Sequence, residues 1–152
     1  MFPILIVDDA ANDAALAERV LRACKILNPV LTFSTGEEFL RYFTNGSATP
    51  VMVLLDMVMK PFSGAEVLQA AEKLGLTGKT AFGMLSGLAE YRLLQEGYQH
   101  GARTFLLKPL KQEDVLQLLS NIPSLSVFTK EDGYILAPST SLPAGQKALR
   151  FA

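Results

Sequence analysis

Cysteine is nearly absent from this chain: Cys24 is the single one among 152 residues. No intramolecular disulfide can form, so the fold must rest on its core, and a reducing compartment suits it. Cys24 shares a helical face with Ala17, Val20 and Leu21, which assigns it to packing rather than to reactivity. An excess of one charge is absent too. The 14 basic and 15 acidic residues leave a formal net charge of -1, without the strongly basic face that nucleic-acid binding needs. No apolar run is long enough to cross a bilayer. The apolar N-terminal run follows no basic residue and leads into two aspartates, which is not the pattern of a signal peptide. A cytoplasmic protein with no membrane contact and no direct nucleic-acid contact is therefore expected. Also missing are an internal repeat and a glycine-rich turn after the first apolar run, and the second absence excludes a dinucleotide-binding domain.

What is present is a globular composition, 49% hydrophobic and 19% charged, with short strand-like runs alternating with segments of helical period. Ile4-Leu5-Ile6-Val7 precedes a helix whose inward positions are Ala17, Val20, Leu21 and Cys24, broken at Asn28-Pro29. Val30-Leu31-Thr32-Phe33 reads as a second strand. Thr35 and Glu38 have the spacing of a capping box that opens a short helix with Phe39, Leu40 and Phe43. Ser63 and Glu66 repeat that spacing before a helix expected to turn Val67, Ala71 and Leu74 inward. A fourth helix runs from about Ala89, with Tyr91, Leu94 and Tyr98 on one face, to near Gly101. A fifth carries Val115, Leu118, Leu119 and Ile122, and Pro123 stops it.

This alternation predicts an α/β fold with a parallel sheet covered on both faces. Right-handed crossovers leave few topologies. Among them the flavodoxin-like, doubly wound five-stranded order 2-1-3-4-5 is expected, since it puts the switch point beside strands one and three, which end in Asp8-Asp9 and Asp56. Residues 1–122 form that body. Residues 123–152 differ in kind, rich in turn residues, and are read as a C-terminal extension. Within it Ser126-Val127-Phe128-Thr129 and Tyr134-Ile135-Leu136-Ala137 fit a hairpin with Asp132-Gly133 in its turn, and a disordered tail is the equal alternative. A hairpin alone is marginal in water, so it would need the body or another chain to lie against.

The polar residues that matter stand at strand ends. The first run ends in Asp8-Asp9, Val51-Met52-Val53-Leu54-Leu55 ends in Asp56, Ala81-Phe82-Gly83-Met84-Leu85 in Ser86, and Thr104-Phe105-Leu106-Leu107 in Lys108-Pro109. In an open parallel sheet these ends share the edge where ligands bind. Three carboxylates gathered there repel, at about 4 kcal/mol per close pair at an effective dielectric near 20. One lysine does not offset that, whereas a divalent cation does, and hard oxygen donors with room for water suit Mg²⁺. Asp56 is then the candidate nucleophile for a phosphoryl group, Mg²⁺ on Asp8-Asp9 and the Lys108 ammonium would hold the equatorial oxygens, and the Ser86 hydroxyl would donate to one of them. A contact that exists only with phosphate present is what a switch requires.

Over residues 3 to 122 these motifs resemble the receiver domain of two-component response regulators. Asp8-Asp9 matches the acidic pair, Asp56 the phospho-accepting aspartate, Ser86 the switch Ser/Thr and Lys108 the family's lysine. Gly64 and Gly101-Ala102 match small residues after the phosphorylation loop and before strand five. Asn28-Pro29-Val30 with Gly36-Glu37-Glu38 looks like the phytochrome-associated, stand-alone subgroup. The resemblance implies a cis bond between Lys108 and Pro109, a metal contact from the Val58 backbone carbonyl, and an inward-turning aromatic at Phe105. It also implies transfer of a phosphoryl group from a histidine kinase or phosphotransfer protein to Asp56. A downstream protein partner would read the face of the fourth helix, fifth strand and fifth helix, and the same face is a candidate for a homodimer. Val58 and Leu88 stand where the family tunes phosphate lifetime; neither orients an attacking water, so slow self-dephosphorylation is expected.

Lys60 occupies a position where the family has proline, with Pro61 one place later, so the loop after Asp56 departs from the family pattern. That departure keeps alive a degenerate receiver that docks without phosphorylation. A haloacid-dehalogenase-type phosphatase also uses a strand-end aspartate and Mg²⁺, but needs a second aspartate where Val58 stands. The reading is of a signalling module, not an enzyme. No output domain is visible in the extension.

Overall fold

The computed structural model describes residues 1–46, 48–78, 80–87 and 99–139. Along the chain run β1 (Ile4–Val7), α1 (Ala11–Ala23), β2 (Val30–Phe33), α2 (Gly36–Thr44), β3 (Met52–Asp56), α3 (Gly64–Lys73), β4 (Ala81–Ser86), β5 (Ala102–Leu107), α4 (Gln112–Asn121), β6 (Leu125–Lys130) and β7 (Gly133–Pro138). The first five strands form one parallel sheet in the order β2-β1-β3-β4-β5, the flavodoxin-like arrangement. Most of the expected fourth helix, including Leu88, Ala89, Tyr91, Leu94 and Tyr98, lies outside the described residues. The helix labelled α4 is therefore the fifth of the sequence reading.

Every residue of β1 and β3 is buried, because helices cover the sheet on both faces. Alternation along β1 divides the core. Ile4 and Ile6 join Leu21, Leu54, Leu118 and Leu119 on one side, while Leu5 and Val7 join Phe39, Val53, Leu68 and Phe82 on the other.

Helix ends follow local chemistry, with some departures from expectation. Ser63 and Glu66 form the full capping box: the Glu66 N–H donates to Ser63 Oγ at 3.2 Å and the Ser63 N–H to Glu66 Oε1 at 3.4 Å. At α2 the box is only half formed. The Glu38 N–H donates to Thr35 Oγ1 at 3.1 Å, but the Glu38 carboxylate accepts from Ser34 Oγ at 3.3 Å instead of returning to the cap. Helix α1 ends at Ala23, before Asn28-Pro29, where Lys25 takes the left-handed conformation with φ 62°. Leu74 caps α3 and is 52% exposed, not inward, whereas Val67, Leu68 and Ala71 are buried.

Beyond α4 the chain makes an antiparallel hairpin of β6 and β7. The hairpin lies on the body: Leu125, Val127 and Leu136 are buried in the same core as Ile4 and Leu21. Strand β7 runs along the loop after α1, with the Leu27 N–H donating to Tyr134 O and the Tyr134 N–H to Lys25 O, both at 2.8 Å. The turn is Glu131-Asp132, and Gly133 is already the first residue of β7. Its value lies in close approach, since a Cβ on Gly133 would collide with the Lys25 carbonyl oxygen.

Candidate functional site

Parallel strands in register end together, so the residues that follow β1, β3, β4 and β5 are gathered at one edge. Asp8 follows Val7 directly, Asp56 and Ser86 close their own strands, and Lys108 follows Leu107. The register sets Asp56 beside Leu85 and Ser86 beside Leu107, and the Lys108 N–H continues the ladder to Ser86 O at 2.8 Å. One carboxylate oxygen from each of Asp8, Asp9 and Asp56 lies within 4.8 Å of the others. Asp8 and Asp56 are buried and Asp9 is exposed, so the cluster opens to solvent on the Asp9 side.

Lys108 reaches into this cluster. Its Nζ donates to Asp8 Oδ2 at 2.8 Å and to Asp13 Oδ2 at 3.0 Å, and stands 3.3 Å from Asp56 Oδ2. Burial disfavours the ammonium, but its hydrogen bonds to Asp8 and Asp13 and the charges of Asp56 and Asp8 outweigh it and raise the Lys108 pKa above the ordinary lysine value. Asp56 is the strained member. Burial above all, with the charge of Asp8, lifts its pKa to about 6 against the opposing Val58 N–H and Lys108. That N–H donates to Asp56 Oδ1 at 3.2 Å, and the Ala10 N–H holds Asp8 Oδ1 at 2.9 Å, fixing both carboxylates.

The frame around the cluster is tight. The Gly64 N–H donates to Met57 O at 3.0 Å, and a Cβ on Gly64 would collide with the Asp56 carbonyl, so any side chain there displaces the end of β3. Val58 sits at the rim, 64% exposed. Phe105 is partly buried and packs against the core that contains Phe82. The Lys60–Pro61 and Lys108–Pro109 bonds are both cis. The apolar groove of about 330 Å³ between α2 and α3, lined by Leu40, Phe62, Val67 and Ala70, lies apart from the acidic cluster. Charge, not concavity, marks the site.

The sequence reading brings Asp8, Asp9, Asp56, Ser86 and Lys108 to one edge, and the structure assembles them there. It missed Asp13. The available signal was an acidic residue in the first turn of the helix that follows the acidic pair. A divalent cation fits the donor set: the oxygens are hard and close together, and three carboxylates face the single ammonium of Lys108.

A five-stranded sheet in this order with three acids and a lysine at its carboxyl edge defines a receiver-type signalling domain. Residues 4–120 match the model of the response regulator receiver domain, and the chain belongs to that family. It is 28% identical over 119 residues to the transcriptional regulatory protein CitT of Halalkalibacterium halodurans, covering 78% of this chain but 51% of that protein. The chain thus spans about half the length of that relative. Among solved structures, the Vibrio cholerae chemotaxis protein CheY4 superposes with a TM-score of 0.68 at 26% identity, over 78% of this chain and 96% of that one. The bacteriophytochrome response regulator AtBRR superposes with a TM-score of 0.75 at 25% identity, over 86% of this chain and 99% of that one. That neighbour agrees with the phytochrome-associated resemblance of the Asn28-Pro29-Val30 and Gly36-Glu37-Glu38 stretches. Among the described residues no helix is long and apolar enough to span a membrane.

Proposed function

We propose that this chain is a cytoplasmic receiver that accepts a phosphoryl group on Asp56 from a histidine kinase or phosphotransfer protein. The observation that carries this reading is the convergence of Asp8, Asp9 and Asp56 within 4.8 Å, with Lys108 Nζ bonded to one and 3.3 Å from another. In the reaction a carboxylate oxygen of Asp56 attacks phosphorus, the bond from phosphorus to the donor's imidazole nitrogen breaks, and an acyl phosphate forms. Asp8, Asp9, Asp56 and the Val58 backbone carbonyl would hold Mg²⁺, which when bound neutralises the equatorial oxygens of the transferred group. Lys108 pairs with one of those oxygens and the Ser86 hydroxyl donates to another. Those contacts favour the phosphorylated arrangement, and Phe105 on β5 is the candidate to relay it to a downstream protein partner or a homodimer.

Incubation with acetyl phosphate and Mg²⁺ should add the mass of one phosphoryl group to the wild type and none to Asp56→Asn, as read by intact mass spectrometry. Light scattering on the labelled sample reads the oligomeric state. Labelling of Asp56→Asn to the wild-type extent would refute the assignment. After the phosphodonor is removed, the label should decay slowly, because the exposed Val58 at the rim has no polar atom on its side chain to position water. Decay as fast as that of a free acyl phosphate, followed by the same mass measurement, would contradict this.

A further inference from the structure

Among the described residues, one charged group touches the site and has no part in the mechanism above. Asp13 stands in the first turn of α1, outside the cluster of Asp8, Asp9 and Asp56, yet its Oδ2 lies 3.0 Å from Lys108 Nζ. An ammonium has three N–H donors and no more. Two of them donate to Asp8 at 2.8 Å and to Asp13 at 3.0 Å, and Asp56 Oδ2 stands 3.3 Å from the same nitrogen as an ion-pair partner. A phosphoryl oxygen arriving at Lys108 therefore meets an ammonium already shared among three carboxylates, two of them hydrogen-bonded to it.

We infer that Asp13 is a positioning residue that competes with the phosphoryl group for Lys108 and so restrains charging of Asp56. The inference rests on the receiver reading given above. Asp13 is the partner that yields most cheaply. Its side chain is 46% exposed, whereas those of Asp8 and Asp56 are 0% and 6% exposed, so water can replace the ammonium only at Asp13. A cleft of about 20 Å³ lined by Asp13, Leu16, Lys108 and Pro109 adjoins the pair, enough for one water molecule. The carboxylate also acts at a distance, because its negative charge opposes any anion arriving beside Lys108. Competition and repulsion therefore work in one direction. Lys108 does not lose its place without Asp13, since Asp8 and Asp56 still hold it.

The test uses beryllofluoride, an anionic mimic of the phosphoryl group, titrated calorimetrically in Mg²⁺ into wild type, Asp13→Asn, Asp13→Ala and Asp13→Glu. Both neutral variants should bind roughly two- to fivefold more tightly, the range expected for loss of an exposed ion pair. Asp13→Glu should return towards wild type, and the difference should shrink as salt is raised. A structural role alone would not produce that salt dependence or the rescue. Unchanged or weaker binding by both neutral variants overturns the assignment of Asp13 while leaving the receiver reading intact. Failure of the wild type itself to take a phosphoryl group on Asp56 from acetyl phosphate overturns the receiver reading, and this inference with it.

Discussion

In buffer with chelator at neutral pH, Asp56→Asn is expected to be more stable than wild type by about 3 kcal/mol. The folded chain lifts the Asp56 pKa from 3.8 to about 6, chiefly by burial and then by the charge of Asp8. Each pK unit corresponds to about 1.4 kcal/mol. Between those two values the native state binds a proton that the unfolded chain releases, so wild-type stability falls as pH rises through the window. Above about 6 the whole cost is present, and below 3.8 it is gone. Asparagine never ionises, so the gap between the proteins should open across this window and vanish in acid. Thermal denaturation at a series of pH values measures it, and about 3 kcal/mol corresponds to roughly 6–12 °C for a domain of this size. Mg²⁺ should narrow the gap at neutral pH by stabilising the wild type more than the variant. A gap that stays constant with pH would mean that the Asp56 charge is not what the fold holds against its preference.

The site is legible in the sequence because its residues share one position in their strands. Asp8, Asp56, Ser86 and Lys108 lie far apart in sequence, yet each ends a strand-like run of four or five residues, and parallel register converts that common position into a common place. The two-sided burial of β1 follows from its sequence too, because strands buried on both faces read as unbroken apolar runs. What escaped depended on facing partners rather than period. Asp13 gains meaning only from Lys108, on an element folded against α1 from far along the chain. Leu74 fits the inward helical period, but the helix ends on it and leaves it exposed. Gly133 reads as turn chemistry, and only the proximity of Lys25 shows that it accommodates another strand of backbone. Asn28 reads as a helix breaker with Pro29, although the helix has stopped earlier at Ala23.

The use of Asn28 is structural, and its loss should be the most damaging single change outside the site. Asn28 is fully buried; its Nδ2 donates to Phe2 O at 2.6 Å and Leu136 O at 2.9 Å, and its Oδ1 accepts from the Leu136 N–H at 2.7 Å. The side chain thus joins the N-terminal segment to β7 in place of a backbone ladder. Asn28→Ala leaves a buried N–H and two carbonyls to find other partners, at about 1–3 kcal/mol for each that finds none. A total loss of about 4 kcal/mol is expected, a large share of the roughly 5–15 kcal/mol that holds a domain together. Urea denaturation measures it, and hydrogen exchange at the Leu136 amide should accelerate. Asn28→Asp keeps the acceptor for Leu136 but loses both donations and buries a charge, so it should be no more stable than Asn28→Ala at neutral pH and should recover partly in acid as the carboxyl is protonated. The folded fraction should still be labelled on Asp56 at the wild-type rate. Asn28 lies past the C-terminal end of α1, where the Arg22 guanidinium bonds Ile26 O and Asn28 O at 2.8 Å, while Asp13 and the acidic pair lie at the other end. The 13 residues of α1 separate the two by about 20 Å. A loss below about 1 kcal/mol would show that other groups or water satisfy Leu136, and that apolar packing and the backbone bonds of Tyr134 hold the hairpin without Asn28.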